Sequence, residues 1–168
     1  MKRLISLALT LVCLLSLVGC KYFETVKVEY DEDALYTGGD IRLTRTDIDP
    51  DTETIKILVE NGSAYELSYG QPFLTFSRKT LFGWKCIEPD PNWAYTMEGY
   101  TLAPGESVEL EASTQRYLVR LDGDRQYRAY FEFSYRTENP EADSSGNFQP
   151  IMHNAYLVHD FNFSRTVE

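Results

Sequence analysis

The sequence predicts an all-β chain, an antiparallel β-sandwich of about seven or eight short strands behind an N-terminal export signal. Three observations lead there. Apolar residues recur with period two rather than 3.6 over most of the chain, which is the signature of half-buried strands. Gly, Pro, Asn and Asp separate these stretches at short intervals. No segment carries a long amphipathic helical pattern, and seven or eight strands without helices bury their apolar faces best as two packed sheets. The 12 Tyr, nine Phe and two Trp supply large rings for a core held by packing.

The first element is the export signal. Lys2 and Arg3 precede a run from Leu4 to Val18 made mostly of Leu, Val, Ile and Ala. About 15 residues at about 1.5 Å each make about 22 Å of helix. A bilayer core needs about 20 residues, so the run is short for a span and suits the apolar region of a signal peptide. It ends in Leu17-Val18-Gly19-Cys20, which resembles the bacterial lipobox: an aliphatic residue, a small or aliphatic one, a small one, then the cysteine that takes a diacylglyceryl group. The resemblance implies that residues 1–19 are removed and that Cys20 becomes the lipidated first residue. Two or three acyl chains on one residue suffice for stable anchoring. Residue 21 is Lys rather than Asp, so the inner-membrane retention signal of some two-membrane bacteria is missing. Residues 20–40 then read as the lipidated cysteine and a tether, because Asp31-Glu32-Asp33 and Gly38-Gly39 argue against a packed element.

The sandwich is expected over 41–168. In 54–60, Ile55, Ile57 and Val59 share one face, and Thr54, Lys56, Leu58 and Glu60 the other. Asn61-Gly62 is a turn signal. Two short strands follow in Ala64–Gly70 and Gln71–Lys79, with Gly70 between them. Gly83–Glu88 is a further strand, ended by Pro89. Residues 89–100 read as an irregular aromatic loop. Leu102-Ala103-Pro104-Gly105 makes a turn into the strand 107–113. In 125–136, Tyr127, Ala129, Phe131, Phe133 and Tyr135 face one way, while Arg128, Tyr130, Glu132, Ser134 and Arg136 face the other. Residues 137–150 form a polar hairpin loop. In the last strand Leu157, His159, Phe161 and Phe163 alternate.

The stretch around Leu121-Asp122-Gly123-Asp124 places Tyr127 near the start of a strand, behind a polar corner. Immunoglobulin-type folds carry a tyrosine corner there, its hydroxyl bonded back to upstream backbone, often with a cysteine two residues on. Here that position is Ala129. Residues 55–135 resemble a bacterial immunoglobulin-like domain common in lipoproteins. The likeness rests on Asn61, Tyr65 to Tyr69-Gly70, Phe73 to Phe76, Trp84, Leu102 to Pro104-Gly105, and Leu121 to Arg128. It covers about half of the chain and implies fold and surface location, but no reaction. The corner Leu-Asp-Gly-Asp is looser than the family pattern.

Charge and cysteine count restrict function. The net charge is −10, with 26 acidic and 16 basic residues. Loss of Lys2 and Arg3 makes the balance two charges more negative. Such acidity disfavours nucleic acid and anionic lipid head groups. With Cys13 in the signal and Cys20 lipidated, Cys86 is the one cysteine left, so the core has no internal disulfide and Cys86 is either buried or reactive. Asp47-Ile48-Asp49-Pro50-Asp51 looks like a calcium loop, but positions six and twelve of that count are Thr52 and Leu58 rather than Gly and Glu; it reads as an acidic turn. His153 and His159 lack the further ligands that zinc needs. No nucleophile motif occurs. The sequence therefore predicts no catalytic residue, metal or cofactor. Trp93, Tyr95, Met97 and Tyr100 either plug the open end of the sandwich or form a contact surface for a protein or glycan partner. The expected function is a non-catalytic, lipid-anchored binding or accessory module of the bacterial cell envelope. The alternative is an inhibitor or immunity-type lipoprotein that blocks an envelope hydrolase or toxin.

Overall fold

A computed structural model describes residues 30–49, 53–117, 121, 125–139 and 149–163. Nine strands run through them: β1 (Ile41–Asp49), β2 (Thr54–Asn61), β3 (Leu67–Gly70), β4 (Thr75–Thr80), β5 (Gly83–Ile87), β6 (Gly99–Leu102), β7 (Ser107–Ser113), β8 (Arg125–Thr137) and β9 (Ile151–Phe163). They form two antiparallel sheets, and the chain is an all-β sandwich as the alternation required. One sheet has the order β1-β2-β7. The other has the order β5-β4-β8-β3-β6, with β9 on the far side of β8.

The long strand β8 organises the larger sheet. It pairs with β9 over its whole length, from Arg125↔Phe163 to Thr137↔Ile151. Its other edge is shared: Tyr127 to Tyr130 meet β4, and Ser134 and Tyr135 meet β3. The alternation read from the sequence holds here. Tyr127, Ala129, Phe131 and Phe133 are buried and face Ile55, Ile57, Val59, Leu110 and Ala112 from the smaller sheet. Fully burying an apolar side chain of this size contributes about 1.5–3 kcal/mol. On the outside of the smaller sheet, Lys56 lies 3.6 Å from both Glu109 and Glu111; these exposed pairs contribute little.

Three readings change. Residues 41–49 are a strand, and Asp47 to Asp49 lie in it rather than in an acidic turn; residues 50–52 lie outside the described residues. Four residues inside the expected aromatic loop and turn, Gly99–Leu102, are β6 and pair with β3. The stretch before β1 carries more contacts than a tether would. From Tyr30 onward it runs along the larger sheet: a 3₁₀ turn at Glu32–Ala34 leads to a parallel bridge between Leu35 and Tyr156, and the Tyr36 N–H donates to the Tyr156 carbonyl at 2.9 Å. This covers part of the outer edge of β9, an edge that would otherwise be open to strand pairing.

The smaller sheet is stapled to the turn before β7 by one side chain. Asn61 is 1% exposed. Its Nδ2 donates to the carbonyls of Tyr65, Leu102 and Ala103 at 2.8, 3.0 and 3.1 Å, and its Oδ1 accepts from the Ser63 N–H and hydroxyl at 3.1 and 2.6 Å. Two glycines fit this joint. Gly105 has φ +79°, and a Cβ at Gly62 would stand 2.7 Å from the Asp40 carbonyl oxygen. Both contacts favour glycine for a physical reason: left-handed backbone in one, close approach in the other. Pro104-Gly105 is thus the turn that receives Asn61, and the Gly105 N–H donates to the Asn61 carbonyl at 2.6 Å. Gly70 ends β3, where a Cβ would meet only ordinary contact, 3.7 Å from the Glu98 oxygen.

Candidate functional site

Cys20 and the whole signal stretch lie outside the described residues, as do residues 122–124 of the corner. Tyr127 is fully buried and stacks on Phe161 at 5.8 Å between centroids; the upstream backbone that would receive its hydroxyl is outside the described residues. Trp84 sits away from the core. It lies on the outer face of the larger sheet, with the Arg128 guanidinium 4.3 Å and the Lys79 ammonium 4.8 Å from its ring. Alternation explains this: Ile87 faces inward in β5, so Cys86 faces the inner side's opposite, and Trp84 shares its face.

That outer face is a layered polar and aromatic surface. Tyr30 stacks on Tyr130 with centroids 4.0 Å apart and planes 6° from parallel, and reaches Tyr156 at 5.0 Å. Its hydroxyl bonds the Thr75 Oγ1 and donates to Glu132 Oε1 at 3.1 Å. Burial pushes the Tyr30 hydroxyl pKa well up, with the nearby Glu132 adding to the rise. Arg128 and Asp160 join β8 to β9 through two bonds of 2.6 and 2.9 Å; the guanidinium holds the Asp160 carboxyl below its usual range. Between β3, β8 and β9 lies an open depression of about 430 Å³, lined by Ser68, Glu132, Ser134 and Asn154 among others. Cys86, half-buried, is free. Burial raises its pKa, and the carboxylates of Glu88 and Glu132 raise it further. A thiol shifted that way carries less thiolate at neutral pH than an ordinary cysteine, the opposite of an activated nucleophile.

The aromatic loop divides into two parts. Tyr100, in β6, stacks on Tyr69 at 5.7 Å and meets Phe73 edge-on at 5.2 Å; Tyr69 in turn meets Phe131 at 5.4 Å. This half plugs the end of the sandwich. Trp93 stays 42% exposed, with the Arg116 guanidinium 5.0 Å above its ring. The Asp90 carboxylate shapes the turn by accepting from the Asn92 N–H at 2.8 Å, and the Trp93 N–H donates to the Asp90 carbonyl at 3.0 Å. Met97 is fully exposed. Tyr95 is half-buried, its hydroxyl and the Arg116 Nε both without a hydrogen-bond partner, and burial raises its pKa. Trp93 and Met97 therefore form the accessible half of the loop.

Among the described residues, no group of three or more His, Cys, Asp and Glu side chains is placed to hold a metal ion. His153 is engaged otherwise: its ring stacks on Tyr135 at 4.9 Å and its Nε2 shares a 2.8 Å hydrogen bond with the Thr137 hydroxyl. No helix among the described residues is long and apolar enough to cross a membrane. Sequence reasoning missed one surface, the β4–β5 turn, where Leu81 and Phe82 stand 99% and 94% exposed. The signal that could have found it is the pair of apolar residues directly before Gly83 in a two-residue hairpin connection. Set against protein-family models, curated proteins and solved structures, the chain matches none of them.

Proposed function

We propose that the protein is an exported, lipid-anchored immunoglobulin-like module of the bacterial cell envelope that works by binding or as an accessory domain rather than by catalysis. The observation that carries this reading is Leu17-Val18-Gly19-Cys20 at the end of an apolar run behind Lys2-Arg3. The docking of Tyr30 and Leu35 on the larger sheet supports it by leaving a short leash. Nine residues, 21–29, span at most about 32 Å, so an acylated Cys20 would hold the sandwich within that reach of a bilayer. Cys20→Ser is expected to abolish palmitate labelling and to release the protein from the membrane fraction. Retention of both label and membrane association by the variant sinks the proposal.

A second reading, an inhibitor or immunity-type lipoprotein, is favoured by exposed Trp93 and Met97, because aromatic and Met side chains anchor protein interfaces. It requires one enzyme bound tightly through this loop. Capture of a single hydrolase or toxin from envelope extract by the wild-type chain, lost with Trp93→Ala at unchanged thermal stability, is the result it expects; equal capture by both chains removes the loop from the account.

A further inference from the structure

The β4–β5 hairpin has the composition of a membrane-interface tip. Residues 78–85 read Arg-Lys-Thr-Leu-Phe-Gly-Trp-Lys, with three cations and no acidic residue, in a chain of net charge −10. The turn holds Leu81 and Phe82 at 99% and 94% exposure. Their exposure is built in. The Thr80 hydroxyl donates to the Gly83 carbonyl at 2.8 Å and accepts from the Phe82 N–H at 3.2 Å, and Gly83 closes the turn at φ +113°. These bonds fix the backbone so that both apolar side chains project beyond the sheet, where no described residue covers them. Behind the tip, the first two cross-strand pairs are Lys79↔Trp84 and Arg78↔Lys85. Lys79 lies over the Trp84 ring, and Arg128 lies over it as well. Among the described residues, the carboxylate beside Arg128 is that of Asp160, which the guanidinium already holds.

Apolar side chains at the leading point, an indole behind them and ammonium and guanidinium groups around the indole match the layering of a bilayer interface: acyl chains, then the interfacial zone, then anionic head groups. We infer that the Thr80–Gly83 turn inserts Leu81 and Phe82 into an anionic lipid surface, with Lys79 and Lys85 on the head groups. The apolar point decides for lipid over a second copy of this chain: a copy of net charge −10 would also meet the cationic rim, but it would have to supply an apolar socket for Leu81 and Phe82. This contact is separate from the anchor at Cys20 and is tested without it. Geometry permits both at once: Thr75, against Tyr30, is five residues from Thr80 along β4, about 17 Å, within the reach of the leash.

The test uses residues 21–168, which keep every described element and lack any acyl chain. Co-sedimentation with vesicles of phosphatidylglycerol and phosphatidylethanolamine is compared with vesicles of phosphatidylcholine alone. Binding is expected to the anionic vesicles, to weaken with salt, and to fall at least about tenfold in the double variant Leu81→Ser, Phe82→Ser. Lys85→Gln should weaken it by about fivefold, one cation's contribution at a charged surface. Thermal midpoints of both variants should equal that of the wild type, since neither changes a buried residue. Absence of binding to anionic vesicles, equal binding to neutral ones, or equal binding by the double variant overturns the inference. So does a concentration-dependent dimer of the wild type that the double variant abolishes, because the tip would then serve self-association.

Discussion

Asn61→Ala is expected to lower the free energy of unfolding by about 3 kcal/mol. The side chain is buried and uses all its hydrogen-bonding capacity, as donor to the Tyr65, Leu102 and Ala103 carbonyls and as acceptor from Ser63. Each buried polar group stranded by its removal costs about 1–3 kcal/mol, and relaxation of the turn recovers part of the sum. The loss is cooperative, because the same residue joins the end of β2 to the turn between β6 and β7. Urea unfolding at unchanged slope against denaturant reads it directly. Asn61→Asp should be at least as harmful despite its nearly identical shape: it keeps the acceptor for Ser63 but turns the donor into an oxygen facing three carbonyls. A loss under about 1 kcal/mol for Asn61→Ala would mean that the turn holds without the staple.

Phe76→Ala should cost more, about 3–5 kcal/mol. Phe76 is fully buried on β4, with Tyr117 edge-on at 5.1 Å and Phe161 at 6.2 Å. Its backbone neighbours across the sheet are Ala129 and Ile87. Because Ala129 is small, the ring fills space that neither neighbouring strand supplies, and truncation leaves a cavity lined by aromatics that rigid sheets cannot close. The Tyr117 hydroxyl donates to the Leu74 carbonyl at 2.7 Å in the same buried region, so Tyr117 is not free to swing into the gap. Phe82→Ala is the internal contrast. It deletes the same ring six residues along the same hairpin, at a position that is 94% exposed, and should change stability by less than about 0.5 kcal/mol. Comparable losses at the two positions would show that the exposure at the tip is wrong.

The elements legible in the sequence are those whose alternation is unbroken. From Ile55 to Val59 in β2 and from Tyr127 to Tyr135 in β8 every inward position is apolar, so the face and its register follow from period two alone. In β1 the rule fails for a definite reason. Ile41 and Leu43 share one parity, Ile48 has the other, and the register shifts between Leu43 and Arg45; the extra residue of a bulge returns Ile48 to the core side. β6 has four residues and depends on β3 and its Tyr69–Tyr100 pair, which local composition does not reveal. The stretch 30–40 reads as a tether because acidic and glycine residues dominate it. Its ring contacts and its bridge come from Tyr30, Leu35 and Tyr36 with residues more than 90 positions away, beyond any local window. At the candidate site, the sequence named the aromatic loop but could not separate Tyr100, which closes the sandwich, from Trp93, which does not. The tip falls between the expected strands 71–79 and 83–88, and because Leu and Phe are usually buried, nothing in the sequence marks Leu81 and Phe82 as projecting.

Both tryptophans of the chain lie outside the core, each beneath a positive charge: Trp84 under Lys79 and Arg128, Trp93 under Arg116. Indole emission responds to adjacent charge and to water, so the ultraviolet fluorescence of this protein originates at two stations on its surface. Trp84 lies behind the hairpin tip and Trp93 in the loop after β5, and the interior contributes only its tyrosines. The molecule thus carries a built-in optical reporter for each of the two surfaces through which it could meet a membrane or a partner.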